Sequence, residues 1–470
     1  MEGKDFDIVV IGGSAVGSYF AMKAARQGFR TAVIEKSSAD TVGGNYDIVH
    51  IEEKEFSNYE LPEVREGDGI FTFRFDRDCI ESPTGRYPKP NRGGAAVIGL
   101  HKQKFIAAMN EKAKDAGARF LYGCVFKSFT FDGSGRINGV IYTGENGEEN
   151  KLSCRLAADC SGIPAAGRKA LPDGYGVEKF TLKSEDLFFV TLYYVTFTDG
   201  RSHMYSESWP YYKTWLAPSG KEDGAILGIG SFYSYEYGEN VMETFKKNVK
   251  LPPYTVDKVE RGLSVHHRAL YSFVGDGFIC MGDSACLSKP FNGEGIPSSL
   301  FQVEITADVI GEAMKDGKYP TKADLWAINK RYNNTQGREF AVILAGTERL
   351  LRISGEAMEY LFRKDVVFSK RIMAATCDIG GPIYVFGDAA RWIKALGNGL
   401  AKGFLKASEL HEIFGKTIRC AIGNLALYSL YPKTPGGFEK WTAAADAMWK
   451  RIGKMSDVKA DYKVMTADRE

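Results

Sequence analysis

The stretch that decides the fold is Asp7 to Lys36, DIVVIGGSAVGSYFAMKAARQGFRTAVIEK. An apolar run enters a glycine-containing turn, a helical pattern follows as far as Gln27, and a second apolar run ends at Glu35. Gly12 permits the tight turn, and Gly17 lets the helix approach the strand. This order predicts a strand–turn–helix–strand unit that binds a dinucleotide, with the pyrophosphate at the helix N-terminus.

Two polar positions complete this unit. Glu35 is placed to accept hydrogen bonds from ribose hydroxyls. Ser14 departs from the usual pattern, in which a glycine lets the backbone meet the phosphate, so its small side chain must point away from the phosphate or bond to it. Taken alone, the unit predicts only an adenine dinucleotide.

The composition argues against several classes of protein. The chain has 470 residues, enough for two or three substructures, and a formal net charge of +2, which gives no case for nucleic-acid binding. The eight cysteines form no CxxC pair, so we expect no metal site, no iron–sulfur cluster and no disulfide framework. A reducing, cytoplasmic location fits this cysteine usage best.

The apolar runs are too short for a membrane span. None approaches the ~20 residues of a membrane-spanning helix. The longest, Leu187 to Phe197, is rich in aromatic and branched residues and predicts a buried strand. Because the first predicted strand begins within about seven residues of Met1, we also expect no signal peptide.

The rest of the chain divides into β-rich and helical stretches. Ser37 to Asn91 is polar and contains prolines, which predicts an insertion, and Lys102 to Ala116 has helical spacing. From about Phe180 to Val265 the pattern is mostly β, with no regular helical alternation. From Thr321 onward the chain is mainly helical.

Two later segments are predicted to return to the same nucleotide. One is Ala158 to Gly162, the end of a short apolar strand, with Arg168 beyond it. In the other, Gly275 to Ile296, a strand ends in Gly-Asp, and a loop with a proline and paired glycines precedes a helix. Its Asp283 can accept hydrogen bonds from sugar-alcohol hydroxyls, and the loop glycines let the backbone lie against a flat ring.

This succession of strand, Gly-Asp turn, glycine loop and helix resembles the flavin-ribityl segment of the para-hydroxybenzoate-hydroxylase-like FAD superfamily. The resemblance implies bound FAD, with the N-terminus of the helix near Ile296 favouring the anionic reduced flavin. The residues expected to bind FAD are Gly12, Ser14, Ala15, Val16, Gly17, Glu35, Lys36, Gly44, Asn45, Lys102, Val125, Gly162, Asp283, Gly293, Gly295 and Ile296.

We therefore predict an α/β fold, α+β overall. Residues 1–180 and 260–320 are predicted to form a discontinuous Rossmann-type FAD-binding domain. Residues 181–259 are predicted to form an inserted antiparallel β-sheet domain that binds substrate, and residues 321–470 a mainly helical C-terminal region.

Further motifs lie in the second half of the chain. They are Trp215 and Pro218 in KTWLAPSGKEDGAILGIG, Arg268 before the Gly-Asp strand, the helical run LWAINKRYNNTQGREF, and Leu430 to Pro435 followed by Trp441. With the FAD motifs, they resemble the geranylgeranyl reductase family, which includes the archaeal digeranylgeranylglycerophospholipid reductases. This resemblance covers nearly the whole chain.

The resemblance implies an FAD-dependent oxidoreductase that saturates carbon–carbon double bonds of an isoprenoid lipid by hydride transfer from flavin N5. The electron donor would be a ferredoxin-like protein or NAD(P)H. Tyr212, Trp215 and Pro218 are the expected substrate-binding residues, and an ordinary core role is the alternative for the aromatic ones. The candidate catalytic residues are His267 and Asp47; for the histidine, an ordinary polar role at a strand start is the alternative.

The chain departs from the family pattern at four positions. Lys213 and Ala217 replace a tyrosine and a phenylalanine of the aromatic substrate wall. Asp47 stands, at equal spacing, where some members carry a cysteine beside the flavin. Lys102 replaces an arginine that lies close to the flavin pyrophosphate in relatives, and a lysine neutralises charge without the arginine fork.

A membrane partner and two other functions stay open. Arg391 to Lys433 mixes basic with apolar residues, which suits a peripheral helix on an anionic bilayer; a solvated face over a core is the alternative. A flavin-dependent monooxygenase or halogenase shares the FAD architecture, with Lys213 as the lysine that a halogenase needs. A membrane-associated flavoprotein that transfers electrons to quinone is the other alternative.

Overall fold

A computed structural model describes residues 5–44, 46–76, 79–84, 86–90, 96–199, 206–208, 213–232, 234–248, 251–290, 292–350, 353–369 and 388–453. These residues form a six-stranded, mainly parallel sheet, three mainly antiparallel sheets and a helical C-terminal region. The predicted fold class is therefore confirmed. Among the described helices, none combines the length and the apolar character needed to cross a membrane.

The strands are β1 Ile8–Ile11, β2 Thr31–Ile34, β3 Ile48–Glu52, β4 Phe71–Phe75, β5 Cys79–Glu81, β6 Lys89–Pro90, β7 Val97–His101, β8 Arg119–Leu121, β9 Val125–Phe131, β10 Ile137–Thr143, β11 Glu149–Ser153, β12 Leu156–Asp159, β13 Leu187–Phe197, β14 Ser206–Ser208, β15 Lys213–Pro218, β16 Gly224–Ser231, β17 Tyr254–Val265, β18 Val274–Gly275 and β19 Phe278–Cys280. The helices are α1 Ala15–Arg26, α2 Glu55–Asn58, α3 Lys102–Asp115, α4 Ala166–Ala170, α5 Tyr235–Asn248, α6 Ile296–Ala313, α7 Lys322–Tyr332, α8 Arg338–Leu350, α9 Gly355–Arg363, α10 Ala389–Ala401, α11 Ala407–Leu410, α12 Arg419–Ser429 and α13 Phe438–Ile452.

The central sheet has the order β18-β19-β12-β1-β2-β8 and is parallel apart from the β18–β19 hairpin. Strand β1 pairs in parallel with both β2 and β12, and β12 pairs in parallel with β19. All residues of these four strands are buried, as their continuous apolar runs predict. Because the strands are parallel, their carboxyl ends place the three nucleotide motifs at one edge of the sheet.

The turn between β1 and α1 is fixed by close contacts. Gly12 has φ +102°, and a Cβ on it would lie 2.4 Å from the Cys160 carbonyl oxygen. A Cβ on Gly17 would lie 1.9 Å from the Gly12 carbonyl oxygen. Both positions therefore require glycine, one for its conformation and one for the approach of helix to strand.

The largest sheet has the order β17-β13-β16-β15-β14-β5-β6. The long strand predicted at Leu187–Phe197 is present as β13, in antiparallel register with β16 and β17. The sheet also takes in β5 and β6, which come from the stretch predicted as an insertion.

The prediction of no helical pattern between Phe180 and Val265 is wrong, because α5 spans Tyr235–Asn248. Val241 and Met242 of this helix are buried against apolar residues of β13 and β16. Tyr237 lies one helical turn before Val241 and Met242, so the segment has a helical apolar pattern. This pattern is short and lies within a β-rich stretch, so the sequence alone does not predict the helix.

The C-terminal helices are tied to the central sheet by an aromatic cluster. The Tyr431 hydroxyl donates to the Tyr271 carbonyl oxygen at 2.6 Å, and the Tyr271 hydroxyl bonds to Asp446 at 2.8 Å. Trp441 packs against both tyrosines. The motif Leu430 to Pro435 with Trp441 therefore joins the end of the chain to the segment that precedes the Gly-Asp strand.

Arg168 links the loops at the carboxyl edge of the sheet. Its side chain is 1% exposed and donates to the carbonyl oxygens of Ser284, Glu178 and Phe180 at 3.0–3.2 Å. Its backbone N–H donates to the buried Asp159 carboxylate at 2.6 Å. One guanidinium thus joins α4 to residues 178–180 and to Ser284, which is 116 residues further along the chain.

We expect Arg168→Met to lower the free energy of unfolding by about 3 kcal/mol, because three carbonyl groups, one buried and two partly buried, lose their donor. Urea unfolding followed by circular dichroism measures the loss. Arg30→Met is the matched control: Arg30 is 56% exposed in its ion pair with Asp7, so a loss below about 1 kcal/mol is expected. Equal losses in the two variants would contradict this role of Arg168.

Candidate functional site

A cavity of ≈ 390 Å³ lies between the carboxyl edge of the central sheet and the largest antiparallel sheet. Ten of the predicted site residues line it: Ser14, Ala15, Val16, Lys102, Gly162, Trp215, Asp283, Gly293, Gly295 and Ile296. The cavity therefore brings together the three nucleotide motifs and one of the predicted substrate residues.

Other predicted residues lie outside the cavity wall. Gly12, Gly17 and Glu35 shape the β1–α1 turn, whereas Lys36, Gly44, Val125, Pro218, Asp47 and His267 do not line the cavity. Val125 is 50% exposed on β9. Asn45 and Tyr212 lie outside the described residues.

Two helix N-termini open into the cavity. The first turn of α1 begins after Ser14, and the first turn of α6 begins after Gly295. Neither turn contains an acidic residue. The Ser14 side chain forms no capping bond, and the capping residue of α6 is Gly295, which has no side chain. Both ends therefore offer positive partial charge to an anionic ligand.

Glu35 is held in place by the backbone of the turn. Its carboxylate accepts from the Gly13 N–H at 2.7 Å and from the Ser37 N–H at 2.8 Å. The side chain is buried at the end of β2. A carboxylate oxygen accepts more than one hydrogen bond, so this fixed group keeps capacity for ribose hydroxyls.

Asp283 and Lys102 form the charged part of the cavity wall. Ser288 donates its hydroxyl to Asp283 Oδ1 at 2.8 Å, and burial raises the pKa of Asp283. Burial lowers the pKa of Lys102 to about 8, against the opposing influence of the Asp283 and Glu260 carboxylates. Lys102 Nζ also lies 5.3 Å from the centre of the Tyr46 ring.

The opposite wall of the cavity is apolar and comes from the antiparallel sheet. It contains Phe188, Val190, Leu192, Trp215, Ile226 and Leu263. A Cβ on Gly228 would lie 2.0 Å from the Trp215 ring, and a Cβ on Gly230 would lie 2.0 Å from the Phe188 ring. The Gly-x-Gly pattern of β16 therefore makes room for two of the aromatic side chains in this wall.

The N-terminal third of the chain, residues 7–170, matches the family model for FAD dependent oxidoreductases. Those residues contain the β1–α1 turn, Glu35, Lys102 and Gly162. The chain is an FAD-dependent oxidoreductase.

Two relatives are similar to this oxidoreductase over most of its length. It is 22% identical to a digeranylgeranylglycerophospholipid reductase of Sulfolobus acidocaldarius, over 97% of this chain and 99% of the relative. A geranylgeranyl bacteriochlorophyll reductase-like protein of Thermoplasma acidophilum has the same fold, with a TM-score of 0.70, 17% identity, and coverage of 85% of this chain and 99% of that one.

A third relative carries a different activity in its name. It is the 1H-pyrrole-2-carbonyl peptidyl-carrier-protein brominase of Pseudoalteromonas luteoviolacea, 21% identical over 68% of this chain and 80% of the relative. The flavoprotein fold is therefore common to proteins named for different reactions.

The residues of the cavity suit FAD independently of these relatives. The helix N-terminus at Ser14 suits the pyrophosphate, Asp283 suits the ribityl hydroxyls, and the loop at Gly293, with φ +71°, gives a side-chain-free surface for the ring. We assign FAD contacts to these residues as a proposal. Within the described ranges, no group of three or more His, Cys, Asp or Glu side chains is arranged to hold a metal ion.

Two residues next to predicted ones line the FAD cavity instead of them. Tyr46 lines it, while the neighbouring Asp47 is half-exposed and bonds to Lys258 at 2.7 Å. His266 lines it, while His267 packs on Phe180. Adjacent residues of an extended chain face opposite sides, and the sequence did not reveal which side faces the cofactor.

His267 is not suited to act as a proton donor in its present place. Burial and the neighbouring Arg268 guanidinium lower its pKa to about 4. Its Nδ1 lies 2.7 Å from the Arg268 carbonyl oxygen, which fixes the ring through the backbone. The imidazole is therefore neutral at physiological pH.

The lowered pKa of Lys102 gives a testable dependence of FAD affinity on pH. The charged form favours an anionic ligand, so affinity should be highest below about pH 8 and fall as the pH rises through that value. Lys102→Met should weaken FAD binding roughly tenfold, about 1.4 kcal/mol, at neutral pH and remove this dependence. Fluorescence titration of the apoprotein with FAD measures both effects.

Lys102→Arg serves as the control, because arginine keeps its charge above pH 8. This variant should bind FAD with a flat pH profile over the same range. A wild-type affinity that does not change through pH 8 would contradict the placement of Lys102 against the cofactor.

Proposed function

We propose that this oxidoreductase saturates carbon–carbon double bonds of an isoprenoid lipid. The observation that carries the proposal is that one cavity joins the residues assigned to FAD to an apolar wall. Reduction of an isolated alkene needs an apolar group held against a hydride donor, and it does not need an array of polar substrate contacts. The reductase relative, aligned over 97% of this chain, supports the same reading.

The chain's own residues would orient the alkene and exclude water. Bound FAD, when reduced, supplies a hydride. Leu192 and Ile226 are buried in the apolar wall, and Trp215 adds a large flat surface to it. The proposal assigns substrate binding to residues 181–259, which include these side chains, and nucleotide binding to residues 1–180 and 260–320. Residues 321–470 form the C-terminal region of this assignment.

The electron donor in this proposal is a ferredoxin-like protein or NAD(P)H. The sequence contains one complete dinucleotide fingerprint, at Asp7 to Lys36, which FAD occupies. A nicotinamide donor would therefore bind transiently. Reduction of the bound flavin by NADPH, compared with reduction by ferredoxin, distinguishes the two donors.

The test is anaerobic incubation of dithionite-reduced protein with polyprenyl lipids. We expect a gain of roughly two mass units for each saturated bond, because one hydride and one proton are added. Geranylgeranyl glycerophospholipids and geranylgeranyl diphosphate are the first lipids to examine by mass spectrometry. Flavin reoxidation by oxygen alone, with no mass gain in any lipid, would overturn the proposal.

Trp215→Ala should raise the KM for the lipid about tenfold and leave FAD content unchanged, because it removes apolar surface on the substrate side only. Leu216→Ala is the matched control, since Leu216 is on the same strand and packs against the cluster on the other face of the sheet. Steady-state kinetics with a reducible lipid measures the difference. The same rise in KM for both variants would show a general loss of packing.

The brominase relative keeps a flavin-dependent halogenase or monooxygenase as a second candidate. Such an enzyme consumes oxygen, so lipid saturation without oxygen separates it from the reductase. The side chain of Lys213, the halogenase candidate, lies outside the described residues.

For the quinone-reducing alternative, turnover with a soluble quinone and no lipid saturation is the expected result.

Peripheral membrane contact is the remaining part of the proposal. Ile393, Leu400 and Phe404 are exposed on and just after α10, and Lys394 and Lys402 are exposed beside them. Leu405 and Ile413 of the same basic segment are buried. The segment therefore combines a core-packing side with an apolar and cationic outer surface that suits anionic lipid.

Flotation with liposomes tests this surface. We expect binding to anionic vesicles that weakens with salt, and a clear loss of binding in Ile393→Ser combined with Leu400→Ser. Val256→Ser is the control, because Val256 is 48% exposed on β17, outside this segment. No flotation of the unaltered protein with anionic vesicles would contradict the membrane proposal.

A further inference from the structure

A carboxylate joins the largest antiparallel sheet to the loop between β2 and β3. Glu260 lies on β17, and its side chain is 9% exposed. Its two carboxylate oxygens accept from the Asp47 backbone N–H at 3.2 and 3.3 Å, and Oε2 also accepts from the Tyr194 hydroxyl at 2.8 Å. Lys258 Nζ lies 2.7 Å from both Glu260 Oε1 and Asp47 Oδ2. We name these four residues the Glu260 clasp.

The clasp continues to the FAD cavity through the backbone of the loop. The Asp47 carbonyl oxygen accepts from the Lys102 backbone N–H at 2.8 Å, at the first residue of α3. Asp47 therefore bonds to β17 through its N–H and to α3 through its carbonyl oxygen. The position of Lys102 is thus tied to the position of Glu260.

Tyr46, the neighbour of Asp47, packs on the same strand. A Cβ on Gly262 would lie 1.8 Å from the Tyr46 hydroxyl oxygen, so the tip of the ring fills the space that a side chain would take. Gly262 and Glu260 are two residues apart on β17 and face the same side of the sheet. Tyr46 and Lys102 both line the FAD cavity. Packing and hydrogen bonds thus hold this loop on one face of β17.

The other face of β17 has separate contacts. Arg261, which lies between Glu260 and Gly262, pairs with Glu239 of α5. Its guanidinium carbon also lies 5.7 Å from the centre of the Tyr235 ring. Since successive residues of a strand face opposite sides, Glu239 supports β17 from the side away from the loop.

Glu260 also acts on Lys102 through its charge. Burial lowers the pKa of Lys102, and the Asp283 and Glu260 carboxylates oppose this change. The Lys258 ammonium offsets part of the Glu260 charge. The other titratable groups in the cavity wall are Tyr46, Cys160, His50, His266, Lys289 and Glu294. Removal of the Glu260 charge alone should make the Lys102 ammonium easier to deprotonate.

We propose that Glu260 is a positioning residue for cofactor binding, which holds Lys102 and Tyr46 at the FAD cavity through the Asp47 backbone. This carboxylate belongs to the sheet that supplies the apolar wall, so the same sheet takes part in binding FAD. The proposal rests on the assignment of Lys102 to the FAD site and does not depend on the lipid reaction.

Fluorescence titration of the apoprotein with FAD at several pH values tests the charge of Glu260. In Glu260→Gln the amide oxygen can still accept from the Asp47 N–H, and the amide nitrogen can donate to the Tyr194 hydroxyl oxygen. We expect FAD affinity at neutral pH to stay within about twofold of the unaltered protein, because these bonds remain. The fall in affinity at higher pH should move to lower pH by about half a unit, because Lys102 loses a stabilising carboxylate.

Glu239→Gln is the matched control for this charge. It removes a carboxylate that is ion-paired to the neighbouring Arg261 on the opposite face of β17. Its pH profile of FAD affinity should coincide with that of the unaltered protein. A purely structural role of Glu260 would likewise leave the profile in place.

Two alanine variants test the positioning itself. Glu260→Ala removes the acceptor of the Asp47 N–H, and Gly262→Ala places a methyl group where the Tyr46 hydroxyl lies. Each should weaken FAD binding roughly fivefold at neutral pH, because the loop before α3 loses a contact that fixes it. Gly133→Ala is the control for an added methyl group, since a Cβ there would meet no heavy atom within 4 Å.

The outcomes separate this proposal from the others. An unmoved pH profile in Glu260→Gln, or unchanged FAD affinity in both alanine variants, overturns the positioning role of Glu260. An unaltered protein whose FAD affinity does not change through pH 8 overturns the placement of Lys102 and this proposal together. Failure to saturate any lipid overturns the reductase function and leaves these FAD measurements as they are.

Discussion

The structure depends on the approach of α1 to β1 at the Gly12–Gly17 turn. A side chain at Gly17 would meet the Gly12 carbonyl oxygen at 1.9 Å, so helix and strand can approach this closely only without one. This approach places the N-terminus of α1 against Cys160 and Gly282, at the ends of β12 and β19. The positive end of the helix, the Glu35 carboxylate and the Gly-Asp turn thereby come to a single edge of the sheet.

The cavity at that edge has two unlike halves. Its charged half comes from loops at the carboxyl ends of parallel strands, where backbone N–H groups and helix termini are available. Its apolar half comes from the middle of an antiparallel sheet, whose β16 glycines make room for Trp215 and Phe188. A parallel sheet with helices on its faces has no such open apolar surface, so the second sheet supplies what the first cannot.

The parts of the fold with local signals could be predicted from the sequence. The first unit is correct to within one residue, since the helix predicted to reach Gln27 ends at Arg26. Helix α6, predicted to begin near Ile296, spans Ile296–Ala313. Such elements carry glycine turns before the helix and apolar periodicity along it, so tertiary contacts need not be known.

The parts that depend on assembly could not be predicted. Tyr46 and His266 face the cavity while Asp47 and His267 do not, and this choice depends on how each segment packs, which no local pattern records. A second cavity, lined by Glu52, Glu55, Glu294 and Glu339, draws its wall from β3, α2, the loop before α6 and helix α8, which are far apart in sequence. Helix α5 was missed because its short apolar pattern lies within a β-rich stretch.

The hydrogen bonds from Tyr271 to Tyr431 and Asp446 join segments that the ribosome synthesises at different times. The β1–α1 turn is synthesised early. Tyr431 and Asp446, which support the segment before Asp283, are among the last residues of the described chain to be synthesised. The segment before Asp283 therefore gains these two hydrogen bonds only after Tyr431 and Asp446 have been synthesised. A nascent chain that ends before them contains the β1–α1 turn and the Gly-Asp strand but lacks this support from the C-terminal helices.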